Sequence, residues 1–245
     1  MSRSAPEAGS APYHHGRLRE ALVEAGVELA REGGADAVVL REATRRVGVT
    51  ARAAYRHFSS REALVDAVSL ACLAKLAERI EAEWPGGAAR GAGVHDAADA
   101  DPLRYLIAVG DGYIAFALEE PGWFDAAMFV VDSMAPATDP AAAGRSGRTA
   151  FELLQSAIGA LVEAGRIPPD SAQSAAIACW SSVHGFALLA SRGPLRQLPP
   201  AERDAAGRGL VRDVAAAVAG GPAPAPAARA DGGAPASGAE APASS

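Results

Sequence analysis

Arginine is concentrated in one short stretch of a sequence that is acidic overall. Between residues 41 and 61 the chain has six arginines and one acidic residue, although all 245 residues together carry a formal net charge of −6. Guanidinium groups bind phosphate oxygens and read guanine edges through paired hydrogen bonds. The local charge, and not the chain average, sets the field that a DNA phosphate meets, so the composition does not exclude DNA as a partner. The six arginines are Arg41, Arg45, Arg46, Arg52, Arg56 and Arg61.

The spacing of apolar residues in this stretch predicts two short helices joined by a tight turn. Gly48 lies between them and permits a reversal with positive φ. Apolar residues at helical spacing would face inward; they are Leu40, Ala43, Val47, Ala54 and Phe58. A cationic and aromatic surface would then face outward, which suits the major groove of B-DNA. The residues of that outer surface are Ala51, Arg52, Tyr55 and Arg56.

Helical periodicity continues through most of the chain, so the predicted fold class is all-α. The expected helices cover about 15–31, 40–47, 51–58, 59–83, 102–119, 121–133, 141–164, 171–191 and 201–219. Gly33 and Gly34 would end the first helix, and Ser59 with Glu62 would form a capping box at the start of the fourth. The expected organisation is a disordered leader over 1–12, a helix-turn-helix domain over 13–60, a connecting helix over 61–84, a second helical domain over 101–219 and a disordered tail over 220–245.

An enzyme is the first alternative, and the sequence offers little chemistry for one. The histidines lack metal-ligand spacing, and no nucleophile elbow or phosphate-binding loop is present. Cys72 and Cys179 lie in apolar helical stretches and are interpreted as small buried side chains. We therefore expect no catalytic residues, no metal and no cofactor. A second alternative is a binding protein that acts through protein contacts alone, and salt-dependent DNA binding would separate it from a DNA-binding protein.

The segment Tyr55-Arg56-His57-Phe58, followed by a capped helix, resembles the TetR family of bacterial transcriptional regulators. Tyr13-His14-His15-Gly16 before the first helix and the signature Trp180-x-x-x-His184-Gly185 resemble one subgroup of that family. The resemblance implies an N-terminal three-helix DNA-binding domain and a C-terminal helical domain for ligand binding and dimerisation. It also implies a repressor that binds a palindromic operator as a homodimer and is released by a small, largely apolar ligand.

The resemblance assigns DNA-contacting roles to positions in and around the second short helix. Base edges would be read by Thr50, Ala51, Arg52 and Arg56. Phosphates would be held by Tyr55, His57 and Arg61. Arg41 would reach the DNA backbone or the edge of the minor groove.

Most aromatic residues and methionines of the second domain lie between residues 113 and 151. Each of them could belong to an ordinary core, but in a ligand sensor some would line an apolar pocket. The candidates are Tyr113, Phe116, Trp123, Phe124, Met128, Phe129, Phe151, Trp180 and His184. The last two helices would form the dimer bundle. With no secretion signal and no run of about 18 apolar residues, we expect a cytoplasmic protein without a membrane segment.

Overall fold

The computed structural model describes residues 13–84, 101–128 and 135–220, and these residues form an all-helical fold, as predicted. The leader over 1–12, the tail beyond Gly220 and the pocket candidate Phe129 lie outside the described residues. The helices are α1 (Tyr13–Ala37), α2 (Leu40–Val47), α3 (Ala51–Ala54), α4 (Arg61–Glu83), α5 (Pro102–Glu119), α6 (Pro121–Ala127), α7 (Ala150–Glu163), α8 (Ala172–Ser191) and α9 (Pro200–Ala219).

Helices α1 to α3 and the first half of α4 enclose one apolar core, which we call the head. The apolar periodicity of the sequence explains this core, because Leu22, Ala54, Phe58, Leu64 and Val68 are all buried in it. Between α2 and α3 the chain reverses at a glycine with φ of 75°. A side chain there would be strained, so glycine favours the tight turn that presents α3.

Three local details of the head differ from the prediction or refine it. Helical geometry in α1 breaks at Gly33 and Gly34, as expected, but one more helical turn follows to Ala37. Helix α3 ends at Ala54 instead of Phe58, because residues 55–58 continue as a tightened turn with hydrogen bonds to Ala51, Ala53 and Ala54. The predicted capping box of Ser59 is wrong, since Ser60 caps α4 by accepting a hydrogen bond from the amide of Ala63.

Helices α5, α7, α8 and α9 pack with the second half of α4 around a second core. We call this part the sensor, after the role that the resemblance implies. The predicted long helix over 141–164 is wrong. Residues 140–142 form a short 3₁₀ turn, and α7 begins only at Ala150, where Thr149 and Glu152 form a reciprocal capping box. The sequence also predicted a helix to residue 133; α6 ends at Ala127, and residues 129–133 of that prediction lie outside the described residues. Cys72 and Cys179 are free and buried, as expected.

Helix α6 connects the two cores, because it packs against α1 and α4 of the head. The indole of Trp123 donates a hydrogen bond to the carbonyl of Val27 at 2.9 Å. Asp125 accepts a hydrogen bond from the amide of Ala35 at 2.8 Å, just after the break in α1, and also pairs with Arg192 of the sensor. A movement of α6 would therefore displace α1 as well, because hydrogen bonds and packing contacts join the two helices.

The sequence predicted no segment that could span a membrane, but α8 together with the 3₁₀ turn before it has the length and composition for one. Within the described part of the chain, residues 169–191 form one helix long and apolar enough to cross a membrane by length and composition, and 39% of its 18-residue apolar stretch is buried inside the protein. The prediction overlooked it because serine and alanine interrupt the strongly apolar residues without adding charge. Length and composition do not separate a membrane span from a helix that packs on protein at both faces.

Candidate DNA-reading face and ligand cavity

The outer surface of α3 has the composition that the sequence predicted. Arg52 and Arg56 are exposed, and the side chain of Tyr55 is 58% exposed although it is a large aromatic. The hydroxyl of Thr50 caps α3 by accepting a hydrogen bond from the amide of Ala53, so this residue is held at the exposed start of the helix. Ala51 and Arg41 are exposed as well, and His57 is half-buried. The buried Ala54 and Phe58 fix the orientation of this surface.

Ion pairs divide the arginines of the head into two groups. Arg45 pairs with Glu42 at 2.6 Å, and Arg46 pairs with Glu32 at 2.6 Å. The Arg45 guanidinium lowers the pKa of the Glu42 carboxyl to about 2, so this pair stays ionised at neutral pH. In the described ranges, no carboxylate pairs with Arg41, Arg52 or Arg56. These three arginines around α3 are therefore available to an external anion.

Arg61 has partners within the protein that the sequence did not reveal. Its guanidinium donates hydrogen bonds to the carbonyl oxygens of Val38 at 2.9 Å and Ala35 at 2.8 Å. These carbonyls lie in the last turn of α1 and in the connection to α2, so Arg61 holds the end of α1 against the start of α4. Its predicted contact with a DNA phosphate stays a prediction and would have to coexist with these bonds.

The sensor encloses an apolar cavity of about 310 Å³. Six helices contribute to its wall, including α4, which continues directly from the head. The lining residues are Leu73, Leu76, Ile80, Leu106, Val109, Gly110, Tyr113, Ala127, Met128, Pro136, Ala137, Ala142, Thr149, Ala150, Phe151, Leu154, Cys179, Trp180, Val183, Val211, Val214 and Ala215. A cavity of this volume lies at the lower end of the range of small-molecule sites.

Four of the nine predicted pocket residues line this cavity: Tyr113, Met128, Phe151 and Trp180. The rings of Phe151 and Trp180 lie edge to face with centroids 5.8 Å apart. His184 lies behind the wall and contacts Tyr113 and Phe124.

Two further candidates, Phe116 and Trp123, pack at the junction of head and sensor. Phe116 and Trp123 stack on each other with centroids 6.5 Å apart. The ring of Trp123 also lies beneath two cations, with the guanidinium of Arg31 at 4.9 Å and the ammonium of Lys75 at 4.6 Å. These contacts give Phe116 and Trp123 a position between α1, α4 and α6 and away from the cavity wall.

Tyr113 and His184 form the main polar pair beside the cavity. The phenolic oxygen of Tyr113 lies 2.8 Å from Nδ1 of His184. Burial raises the pKa of Tyr113, so the phenol keeps its proton at neutral pH. Burial lowers the pKa of His184 below its ordinary value, so the imidazole is neutral and can accept the phenolic proton.

This lowered pKa predicts a pH-dependent stability. The unfolded chain binds a proton at His184 near pH 6.5, whereas the folded protein binds it only at lower pH, so stability falls as pH decreases below about 6.5. We expect the melting temperature to fall between pH 7.5 and pH 5.5. The fall should be smaller in His184→Asn, which keeps a hydrogen-bonding group near Nδ1 without titrating. Parallel melting curves at each pH check this, and equal falls in both proteins would contradict it.

The sequence did not identify the aliphatic part of the wall, nor the segment that covers the cavity. We call residues 135–149 the cover segment, since Pro136, Ala137, Ala142 and Thr149 line the cavity from there. It is attached to α4 by the buried carboxylate of Glu81. That carboxylate accepts hydrogen bonds from the amides of Arg145 and Ser146 at 3.0 Å and from the hydroxyl of Ser146 at 2.6 Å.

Removal of the Glu81 carboxylate should loosen the cover segment. Glu81→Ala leaves two partly buried amides without an acceptor, and hydrogen bonds to a charged group are each worth about 1.5–3 kcal/mol. We expect a loss of roughly 2–3 kcal/mol in the free energy of unfolding. Hydrogen exchange should be faster at the amides of residues 145 and 146. Glu81→Gln keeps one acceptor oxygen and serves as the matched control; unchanged exchange in both variants would contradict this role.

Two family models match the chain. "Bacterial regulatory proteins, tetR family" matches residues 22–68, and "Tetracyclin repressor-like, C-terminal domain" matches residues 106–214. Together the matched regions cover well over half of the sequence and include α3 and most of the cavity wall. The chain belongs to the TetR family of DNA-binding transcriptional regulators. Proteins of this family are regulators and not enzymes. The subgroup marked by Trp180, His184 and Gly185 stays a prediction.

Solved structures agree with this fold. A protein of unknown function from Rhodococcus sp. RHA1 is similar over 84% of this chain and 100% of its own, with 26% identity and a TM-score of 0.55. A TetR variant from Acinetobacter baumannii AYE, solved in complex with minocycline, is similar over 80% of this chain and 92% of its own, with 20% identity and a TM-score of 0.55. A TetR family transcription regulator from Shewanella sp. PV-4 is 15% identical over 80% of this chain and 96% of its own, with a TM-score of 0.52. No curated protein matches the chain at a significant level.

Proposed function

We propose that this protein is a homodimeric repressor that binds an inverted-repeat operator through α3 and leaves it when a small, largely apolar molecule occupies the sensor cavity. The observation that carries the proposal is the outer surface of α3, where an exposed tyrosine lies between two exposed arginines that pair with no carboxylate in the described ranges. The exposed tyrosine ring is unfavourable in water and gains a partner on DNA, and the two arginines are available to phosphates and base edges.

In this proposal the arginines and the tyrosine divide the DNA contacts between them. Arg52 and Arg56 read base edges together with Thr50 and Ala51, because they extend from the exposed side of α3. Tyr55 and His57 hold phosphates. Arg41 lies at the start of α2 and reaches the DNA backbone or the edge of the minor groove.

The face of α8 supports a homodimer. Ile177, Leu188 and Leu189 are 53%, 38% and 46% exposed. They lie on α8, which is one of the two last helices that the resemblance assigns to the dimer bundle. A second copy related by a two-fold axis would cover the same residues on both subunits. Two reading helices about 34 Å apart would then meet successive major grooves, and a single short helix would read too few base pairs.

A membrane is the other surface that could cover α8. The charged residues of α9 make this alternative unfavourable. Helix α9 packs along α8 and carries charges that would enter the lipid with it, including Arg208, Arg212 and Asp213. Charged side chains within the hydrocarbon layer are costly. We therefore propose a cytoplasmic protein that has no membrane segment.

The cavity supports a small-molecule effector. Its wall includes Leu73, Leu76 and Ile80 of α4, the helix that begins in the head, and the TetR variant from Acinetobacter baumannii AYE was solved with a small molecule, minocycline. In one arrangement of α4 and α6 the two heads would be spaced for successive major grooves, and in another they would not. A ligand that binds the second arrangement more tightly would increase its population and so release the protein from DNA. A ligand with equal affinity for both arrangements would have no effect.

Two measurements test this proposal. Affinity for genomic DNA fragments should fall steeply as salt rises from about 50 to 200 mM, since phosphate contacts release counterions; a protein that acts through protein contacts alone would show no such slope. Sedimentation should give a dimer for the native chain and a monomer for Ile177→Glu. Gln155→Glu, on the exposed side of α7, is the control and should stay dimeric. A native monomer would contradict the proposal.

A further inference from the structure

Among the residues that the structure describes, the wall of the sensor cavity carries no formal charge. These lining residues include no aspartate, glutamate, lysine, arginine or histidine. The neighbouring His184 is neutral at physiological pH, because burial lowers its pKa. The carboxylate of Glu81, below the cover segment, is engaged by Arg145 and Ser146. An ionised ligand would therefore lose its water without gaining a counter-charge, which strongly disfavours its binding.

The size of the cavity limits the ligand as well. Its volume is about 310 Å³, and an apolar cavity of about 150 Å³ accommodates benzene. A molecule of two or three fused or linked rings, or an aliphatic molecule of equal volume, fills this space.

Two hydroxyl groups give the wall its polar character. Oγ1 of Thr149 accepts the amide hydrogen of Glu152 at 3.2 Å, which leaves the hydroxyl proton able to donate to a ligand oxygen. Oη of Tyr113 lies 2.8 Å from Nδ1 of His184 and donates to it when the imidazole carries its proton on Nε2. The indole of Trp180 donates to Oη, and one lone pair is then left to accept from a ligand hydroxyl. Both residues line the cavity.

We propose that the cavity selects an uncharged, largely apolar molecule with one or two hydroxyl or carbonyl oxygens, which Thr149 and Tyr113 bind, and rejects carboxylates, phosphates and amines of the same skeleton. This inference rests on the proposed function, in which the cavity is the effector site. It specifies the chemical class of the effector by charge, size and oxygen content.

Displacement of an uncharged fluorescent probe, N-phenyl-1-naphthylamine, tests the inference on the full-length protein without DNA. The competitors share one ring system: 2-naphthol, 2-naphthoate, 2-naphthylmethylammonium and naphthalene. We expect 2-naphthol to displace the probe at a concentration at least tenfold below either charged analogue. A charged analogue that competes as well as 2-naphthol would overturn the inference, and so would failure of the probe to bind.

Variants locate the binding and the hydroxyl contact. Ala150→Phe places a ring in the cavity and should weaken probe binding at least fivefold, whereas Gln155→Phe, on the exposed side of the same helix, should leave it unchanged. Tyr113→Phe should reduce the preference for 2-naphthol over naphthalene and leave naphthalene binding nearly unchanged. Equal probe binding by the two phenylalanine variants of α7 would place the probe elsewhere and overturn the inference.

DNA binding is measured separately from ligand binding. The inference about the ligand class and the proposed function can therefore be contradicted independently of each other. A protein that binds 2-naphthol selectively in the cavity, yet keeps its operator, supports the inference and contradicts the release step of the proposed function. A protein that binds DNA as proposed, yet prefers 2-naphthoate, contradicts the inference and leaves the DNA-binding function standing.

Discussion

Arg52→Ala should weaken binding to the operator by about fivefold to 140-fold for each half-site, because one bidentate contact to guanine is worth roughly 1–3 kcal/mol of discrimination. Binding to random DNA should fall much less, since many phosphate contacts remain. The side chain is exposed on α3 and has no carboxylate partner in the described ranges, so its removal should not affect folding. Fluorescence anisotropy with operator and random duplexes measures both affinities.

Arg45→Ala is the matched control for this experiment. Arg45 lies in the same head and is also exposed, but its guanidinium is engaged by Glu42 through two hydrogen bonds at 2.9 and 2.6 Å. We expect its removal to change operator affinity less than threefold, about 0.65 kcal/mol. Equal losses in the two variants, or equal losses on operator and random DNA for Arg52→Ala, would contradict the role of Arg52 in base reading.

Glycine-to-alanine substitutions at two helical positions should have opposite effects on stability. At Gly122 a Cβ atom would lie 2.5 Å from the carbonyl oxygen of Arg31 and closer still to that of Ala30. Because both contacts are backbone atoms, α6 would have to move away from α1, and overpacking of this kind typically costs 1–3 kcal/mol, so we expect a loss of about 2 kcal/mol. At Gly159 of α7 a Cβ atom meets nothing within 4 Å.

Gly159→Ala is therefore the control, and it should stabilise the protein by about 0.4–1 kcal/mol through the lower entropy of the unfolded chain. Urea denaturation measures both changes. The Gly122 variant should also respond less to an effector, because α6 connects Ala127 and Met128 at the cavity with α1 of the head. A Gly122→Ala protein as stable as the native one would show that the close contact of α6 with α1 is not required.

The sequence predicted the head well because its structure depends on local patterns. Apolar residues at helical spacing determine which side of α2 and α3 is buried, and Gly48 determines the turn, so the buried Ala54 and the exposed Tyr55 follow from residues only a few positions away. The partners of Arg61 could not be predicted in this way. They are carbonyl groups at Ala35 and Val38, whose position depends on how α1 meets α4 in space.

The sensor was harder to predict, because apolar periodicity does not say which apolar cluster a side chain joins. Phe116 and Trp123 stack at the junction with α1, while Phe151 and Trp180 reach the cavity, although all four have the same aromatic character. The start of α7 did have a local signal that was missed. Thr149 and Glu152 have the Ser/Thr-x-x-Glu spacing of a capping box, which is formed in the structure.

Selection of DNA from a fragmented genomic pool by the purified protein tests the central claim most directly. The account predicts enrichment of one inverted repeat, with half-sites whose centres lie about one helical turn apart, near 34 Å. Arg52→Ala should lose that enrichment, while Arg45→Ala should retain it. Weak retention of all fragments without an enriched repeat, by a protein shown to be free of bound small molecules, would contradict the account of α3 as a sequence-reading helix.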